Sequence, residues 1–551
     1  MNHKKLFLAI GIFVFLSAAN IVKAANAGDI VNFNVDSGFD ATARTQVTAT
    51  LIKVEPNLYF YIEKSWWDSQ LPQKQTELLN NLDNLSQEFA SKIYPALTSA
   101  FGSEWTPGID NDPKITVVFQ SMKGDFGGYF RTADEYPKIQ VPNSNEREML
   151  YLPISKISDP YQLKVLLAHE FTHLITFNQK DRAFGLSEDT WLNEARADYS
   201  ATMLGYNDIY PNSILEQRVR DFLENPSDSL TEWKETKYDY AVVSLFTHYL
   251  ADHYGVSVLS DSLKSNAIGI DSINQALKKE NSQEDFGQIF ANWTVAVAVN
   301  DCSLGKYYCY SNKNLQNVRL TPNLNFLPIS GSSSLSVTNI TKSWAGNWQK
   351  IFGGNGNLKL DFTSSNTLNF KVPYAVQDKT GSLSVNFLTL DKNQTGEVSV
   401  PDFGIKNTAI IIMPSSQVQT SNFTNSDPAY PYTFTVSVGA QNVPPVNNNP
   451  VTPKVPDVPA IPKGFSFSKD LYYGMVSQDV IYMKVILASQ GCLLSRLVNI
   501  NAFGPVTLSA VKCFQQKYKA DISKTAGYQI GVTGYVGPGT RAKLNSILTV
   551  R

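Results

Sequence analysis

Two histidines four residues apart, with a glutamate directly after the first, carry the sharpest chemistry in this chain. The segment is His169-Glu170-Phe171-Thr172-His173. Its surroundings predict a helix over 160–177, with Asp159 as cap and Pro160 in the first turn. On a helix, residues i and i+4 share a face with Cβ atoms ~5–6 Å apart. Two imidazoles so placed can converge on one Zn²⁺ at ~2.0–2.1 Å. Glu170 then projects beside the metal, where a carboxylate can take a proton from water.

Two histidines leave a catalytic zinc short of a protein ligand. The next predicted helix supplies one in Trp191-Leu192-Asn193-Glu194-Ala195-Arg196-Ala197-Asp198. Glu194 follows His173 after a span long enough for a loop through Gly185 and a return on a second helix. Asp198 lies one turn further on the same face, placed to accept the remaining N–H of a ligand histidine. Asn193 can support the site in the same way.

These segments resemble the gluzincins, zinc peptidases that take two ligands from HExxH and a glutamate from a second helix. Asn193-Glu194-Ala195-Arg196-Ala197-Asp198 is similar to their NExxxD pattern, which implies zinc for Glu194 and a supporting role for Asp198. With Ser144-Asn145-Glu146-Arg147-Glu148-Met149 upstream, the span from Lys114 to Asp301 most resembles the hyicolysin-type peptidases. The resemblance further implies an oxyanion donor on the helix holding Tyr238-Asp239-Tyr240. In several gluzincin groups a tyrosine fills this role and a glycine closes the helix fifteen residues on, a spacing matched by Tyr240 and Gly255. His248 is the alternative, since other gluzincins use histidine. By the same likeness, Phe126-Gly127-Gly128-Tyr129-Phe130 is either an edge strand that pairs with extended peptide or a plain Gly-Gly turn.

Positioning these groups requires a mixed scaffold. Leu58–Ile62, Ile115–Phe119 and Met149–Leu152 read as strands, and Lys74–Ala100 as a long amphipathic helix. From Asp159 to Asn300 the pattern is helical, with Gly205 and Gly255 at helix ends. Beyond Tyr310 short alternating runs such as Leu358–Phe362 and Tyr432–Val436 predict a β-sandwich. Between 441 and 463 stand seven of the chain's 27 prolines, the composition of an extended tether. The predicted organisation is therefore multidomain α+β. It comprises a signal peptide at 1–27, an N-terminal α/β subdomain or removable pro-segment at 28–113 and a zincin-like metallopeptidase core at 114–310. A β-sandwich at 311–440, the tether at 441–463 and a small all-α domain at 464–551 follow.

Composition narrows the partners. Among 551 residues, 43% are hydrophobic and only 17% charged, with a net charge of −2. That balance excludes wholesale disorder and a dedicated nucleic-acid binder. The charge is segregated, however. Residues 464–551 hold ten Lys/Arg against three Asp and no Glu, a net of +7, which leaves −9 on the rest. A tethered basic module favours an anionic polymer. Its Gly504-Pro505-Val506-Thr507 and Gly537-Pro538-Gly539-Thr540 segments, with Ala510-Val511-Lys512-Cys513-Phe514-Gln515 after the first, resemble the peptidoglycan-binding domain of cell-wall enzymes. Met483-Lys484 departs from that family's usual Leu-Gln.

Lys4 and Lys5, the apolar run Leu6–Ala19 and Ala25-Asn26-Ala27 have the order of a secretory signal. An uncleaved anchor is the other reading, and no later segment is long and apolar enough to span a bilayer. Four cysteines suit an oxidising address, and local pairing predicts Cys302–Cys309 and Cys492–Cys513. The expectation is an exported zinc metalloendopeptidase, secreted or attached to the cell wall, acting on protein or peptide. A peptidoglycan cross-bridge peptidase and a non-catalytic adhesin with structural zinc are its rivals.

Overall fold

The computed structural model describes residues 25–124, 127–439, 459–493, 498, 501–526 and 531–549. The predicted signal run before Ala25 and most of the proline tether lie outside the described residues.

A six-stranded sheet, in the order β1-β2-β3-β4-β6-β5, organises the N-terminal half. Its strands are β1 (Ile30–Asn34), β2 (Gln46–Val54), β3 (Leu58–Glu63), β4 (Ile115–Gln120), β5 (Tyr129–Phe130) and β6 (Met149–Pro153). β3, β4 and β6 run parallel, whereas β5 closes the edge antiparallel to β6. Strands in the parallel interior are buried on both faces, so they read as continuous apolar runs. Leu58, Phe60 and Ile62 face the helices, while Tyr59 and Tyr61 enter a second small core with Phe33, Val118 and Tyr151.

This sheet crosses the expected boundary at 113/114, because β3 pairs with β4 from Leu58↔Ile115 to Ile62↔Phe119. Residues 28–113 are thus half of the sheet, and their removal would strip β4 of a neighbour. The long helix predicted after β3 is preceded by a short α1 (Lys64–Asp68) and consists of α2 (Pro72–Glu88), a π turn and α3 (Tyr94–Phe101).

Seven helices follow: α4 (Pro160–Thr176), α5 (Thr190–Met203), α6 (Ile214–Glu224), α7 (Lys237–Tyr254), α8 (Val256–Leu263), α9 (Gly269–Lys279) and α10 (Phe286–Val299). Asp159 caps α4 by accepting from the Tyr161 and Gln162 amides. α5 packs against both α4 and α7, and α6 lies along α7.

The β-rich unit differs from the expected sandwich of two sheets: it is a single nine-stranded sheet that curls over one core in two layers. One contains β8 (Ser333–Lys342), β10 (Gly356–Ser364), β14 (Thr395–Phe403) and β17 (Ala429–Val438). The other contains β7 (Asn323–Leu327), β9 (Gln349–Gly353), β12 (Pro373–Asp378), β13 (Leu383–Phe387) and β15 (Asn407–Ile412). A single parallel pairing, Phe403↔Asn407, joins them. β11 (Phe370–Lys371) and β16 (Ser415–Ser416) pair separately. Leu360, Phe362, Phe434 and Val436 from one layer share a core with Ile351, Ile410 and Ile412 from the other.

The expected start of this unit at 311 is also revised. Leu315, Val318 and Leu320 belong to the core of the helical body, and the strands begin at Asn323. The second layer is itself docked on the helices. Trp348 Nε1 donates to the Thr294 carbonyl at 2.8 Å, and the Trp344 ring lies 4.9 Å from Phe286.

The C-terminal unit is helical, with α11 (Gln478–Ser489), α12 (Pro505–Lys517), α13 (Lys519–Ala526) and α14 (Pro538–Thr549). Gln515 holds the second Gly-Pro segment through the Tyr535 carbonyl, the Gly534 amide and Thr540. Lys484 is buried and donates to the Ala502 carbonyl, and burial pulls its ammonium down to about 8. Both predicted disulfides, Cys302–Cys309 and Cys492–Cys513, are formed. No described helix is long and apolar enough to cross a membrane.

Candidate metal centre

α4 and α5 bring His169, His173 and Glu194 together, with one ligand atom from each falling within 4.8 Å of the others. His169 Nε2 and His173 Nε2 are 3.1 Å apart. Glu194 places Oε2 at 3.2 Å from His169 Nε2 and Oε1 at 3.6 Å from His173 Nε2. Ligands bound tetrahedrally at ~2.0–2.1 Å stand about 3.3–3.4 Å from each other, so these separations suit one zinc-sized ion. Glu194 Oε2 is buried, and apart from His169 Nε2, itself a candidate ligand, it meets no hydrogen-bond donor. Two imidazoles and a carboxylate could hold a divalent metal ion, and the donor set does not by itself choose which.

Asn193 is the supporting residue whose predicted contact is formed. Its Oδ1 lies 3.0 Å from His173 Nδ1, which makes Nδ1 the protonated nitrogen and leaves the Nε2 lone pair to the centre. Asp198 behaves differently from expectation. Instead of accepting from a ligand histidine, it takes Arg218 Nε at 2.9 Å and pairs with Nη2 at 2.9 Å. Arg218 comes from α6, an element whose approach local spacing does not reveal. This pairing keeps Asp198 ionised, because the arginine outweighs the effect of burial.

Glu170 lies beside the three ligands and outside their set. It is 3% exposed, and its Oε2 has no donor. Burial pushes its carboxyl up to about 8, with the Glu194 charge adding to the rise and His169 opposing it. Burial draws His169 down, but its contact with Glu194 and the neighbouring carboxylate charges dominate and raise it to about 9. Glu194 is held low because both histidines outweigh its burial. His169 and Glu194 thus stabilise each other's charges.

Gly128 covers Glu170 from the start of the edge strand. A Cβ on Gly128 would stand 2.9 Å from Glu170 Oε1 and 2.8 Å from the Tyr151 carbonyl, at a φ of +147°. Only glycine allows the backbone this close. The Gly-Gly segment is therefore the entry to β5, and β5 borders the centre as an edge strand; Phe126 lies outside the described residues.

Tyr240 occupies the first turn of α7, whose start is fixed by the Thr236–Asp239 capping box. The Arg218 guanidinium lies over its ring at 4.7 Å, and Trp233 meets it edge-on at 4.9 Å. Burial and then the Glu194 charge hold its phenol well above the usual range, so it remains a proton donor. His248 has no comparable access. Its Nε2 bonds Thr202 Oγ1 at 2.7 Å, its Nδ1 bonds the Ser244 carbonyl at 2.8 Å, and it is 1% exposed. It is a satisfied core histidine. Sequence spacing did not identify Arg218, Trp233 or the contact between Gly128 and Glu170, since each depends on packing between distant segments.

No family model matches the chain, and no curated protein matches it. Among solved structures it is similar to PliG of Aeromonas hydrophila, a periplasmic lysozyme inhibitor of g-type lysozyme. That similarity has 10% identity over 21% of this chain and 98% of that one, with a TM-score of 0.15. It is also similar to CorA of Methylomicrobium album BG8, a surface-associated copper-binding protein, at 9% identity. There the coverage is 21% of this chain and 100% of that one, with a TM-score of 0.13. Neither likeness bears on the metal centre.

Proposed function

We propose that the chain is an exported zinc-dependent metalloendopeptidase that hydrolyses peptide bonds in proteins. The observation that carries this reading is the convergence of His169, His173 and Glu194 beside an independent buried carboxylate, Glu170. A zinc ion held by the three ligands would acidify a water molecule and polarise the scissile carbonyl. Glu170 takes the proton of the attacking water and passes it to the leaving amine. Its burial beside the three ligands suits a group that must hold that proton between the two transfers. Asn193 keeps His173 in the tautomer that presents Nε2.

Tyr240 donates a hydrogen bond from its phenol to the oxyanion, with Arg218 and Trp233 fixing the ring. Strand β5 supports an extended substrate, whose backbone can pair along its free edge with little regard to side chains. The two disulfides and the secretory order of the first residues support export. The basic helical unit, with its second Gly-Pro segment held by Gln515, supports attachment to peptidoglycan or another anionic surface polymer. Such a tether would raise the local concentration of the peptidase at the surface.

The test is digestion of unfolded casein and of purified wall sacculi by the same preparation, before and after chelation and zinc replacement. Zinc-dependent cleavage of casein is the expected result. Solubilisation of sacculi alone would move the substrate to wall cross-bridges, and inertness toward both with zinc bound would favour a structural ion.

A further inference from the structure

The C-terminal unit turns two aromatic rings toward solvent although its core is filled without them. Tyr472 and Tyr535 are 50% and 47% exposed, above a core that buries Phe467, Leu471, Phe503, Phe514 and Val536. The backbone explains why the two stand together. Leu471 and Val536 form an antiparallel bridge, each amide donating to the other's carbonyl, at 3.3 and 2.9 Å. Tyr472 follows Leu471 and Tyr535 precedes Val536, so the register sets the two tyrosines opposite each other. Their ring centroids lie 6.4 Å apart with 18° between the planes. At that distance neither ring covers the other, and two nearly parallel faces stay open.

Tyr535 is held in place from beneath. The buried Gln515 side chain donates to the Tyr535 carbonyl and accepts from the Gly534 amide, each at 2.8 Å. Gly534 has a φ of +81°, and a Cβ there would stand 2.3 Å from Leu508. Glycine thus lets this segment lie directly on α12. The Tyr535 hydroxyl donates to Asp470 Oδ2 at 2.6 Å, and Arg541 Nε pairs with Asp470 Oδ1 at 2.7 Å. A ring fixed in this way pays little further ordering entropy when a ligand covers it. Cations border the pair. Lys469 adjoins Asp470, Arg541 is bound to it, and Lys512 Cε would lie 3.4 Å from a Cβ on Gly534.

We propose that Tyr472 and Tyr535 form a sugar-binding platform that takes the glycan chain of peptidoglycan. Lys469, Lys512 and Arg541 meet the carboxylates which that polymer carries. The proposal rests on the reading of this unit as a surface anchor, and it names the residues and the part of the polymer that they grip. A pyranose ring offers a flat face of C–H groups that packs on an aromatic face, while its polar groups stay at the rim. An exposed pair of rings on a folded unit marks such a contact more often than it marks chance. Nucleic-acid bases also stack on tyrosine. The Cys492–Cys513 disulfide in the same unit, however, belongs to an oxidising address, where wall polymers are the resident polyanions.

Co-sedimentation of the full chain with purified sacculi, after chelation to prevent hydrolysis, tests the proposal. Wild type should sediment, and Tyr472→Ala and Tyr535→Ala should each raise the Kd by about three- to tenfold, the worth of one aromatic contact. Tyr473→Ala removes an equally exposed ring outside the stacked pair and should bind as wild type does. Soluble oligomers of β-linked N-acetylglucosamine should displace the wild type, and free stem peptide should not. Undiminished binding by both alanine variants would overturn the platform and leave wall attachment standing. Failure of the wild type to sediment would overturn the anchor reading and the platform with it. An equal loss in Tyr473→Ala, or displacement by stem peptide or single-stranded DNA in place of the sugar, would also overturn the platform. The competition uses wild type alone, so it decides even where an alanine variant fails to fold.

Discussion

Asn193 and His173 face each other across two helices, with Asn193 Oδ1 3.0 Å from His173 Nδ1. The residue after Asn193 is Glu194, so one turn of α5 delivers both a candidate metal ligand and the partner that orients another. Asn193→Ala should therefore weaken metal binding by about 10–100-fold without unfolding the chain. Competition titration against a zinc chelator measures this directly. An unchanged affinity would show that packing alone orients His173.

The Asp198–Arg218–Tyr240 chain predicts a different signature. Tyr240→Phe removes only the phenolic donor and should lower kcat by about 10²–10³-fold with KM and zinc content little changed. Arg218→Ala removes the group lying over the ring and the partner of Asp198, so its kcat should fall in the same direction while Tyr240 is still present. If Arg218→Ala lowered activity equally in the Tyr240→Phe background, the arginine would act independently of the tyrosine.

Gly128 makes a steric prediction. Gly128→Ala drives a Cβ against Glu170 Oε1 and the Tyr151 carbonyl, at a φ of +147° that alanine rarely adopts. Peptidase activity should drop by about tenfold or more, a barrier change of about 1.4 kcal/mol, while zinc content stays at the wild-type value. Hydrolysis of a chromogenic peptide together with metal analysis checks both parts.

His169 and Glu194 stand 3.2 Å apart as two of the three candidate ligands, and this predicts the response to ligand removal. His169→Ala and Glu194→Gln should each abolish stoichiometric zinc, yet both should fold, because the body core is built from other residues. Circular dichroism with metal analysis separates loss of metal from loss of fold.

The site was legible where its geometry is local. HExxH declares itself because i and i+4 on one helix share a face, and Glu194 because Asn193–Asp198 on the following helix resembles the NExxxD pattern and two histidines leave a ligand wanting. Asp198 was read as a histidine partner for the same local reason, and Arg218 claimed it from a helix that helical spacing cannot place. The fold was legible element by element, from the capped start of α4 to the alternating strands after Asn323. Its boundaries were not. The pairing of Leu58 with Ile115 joins segments that composition alone separates, and Trp348 reaching Thr294 buries the β layer against helices far earlier in the chain. Both are long-range contacts without a periodic signal. His248 looked chemically available because a sequence does not show that Thr202 and the Ser244 carbonyl already occupy its two nitrogens.

The most direct test of the central claim compares wild type with Glu170→Gln, each loaded with zinc, on unfolded casein. Glu170 stands outside the ligand set, so both proteins should bind one zinc per chain, and the variant should cleave at least about 10²-fold more slowly. Equal cleavage by the two would contradict Glu170 as the base. Absence of bound zinc from the wild type would contradict the metal centre itself.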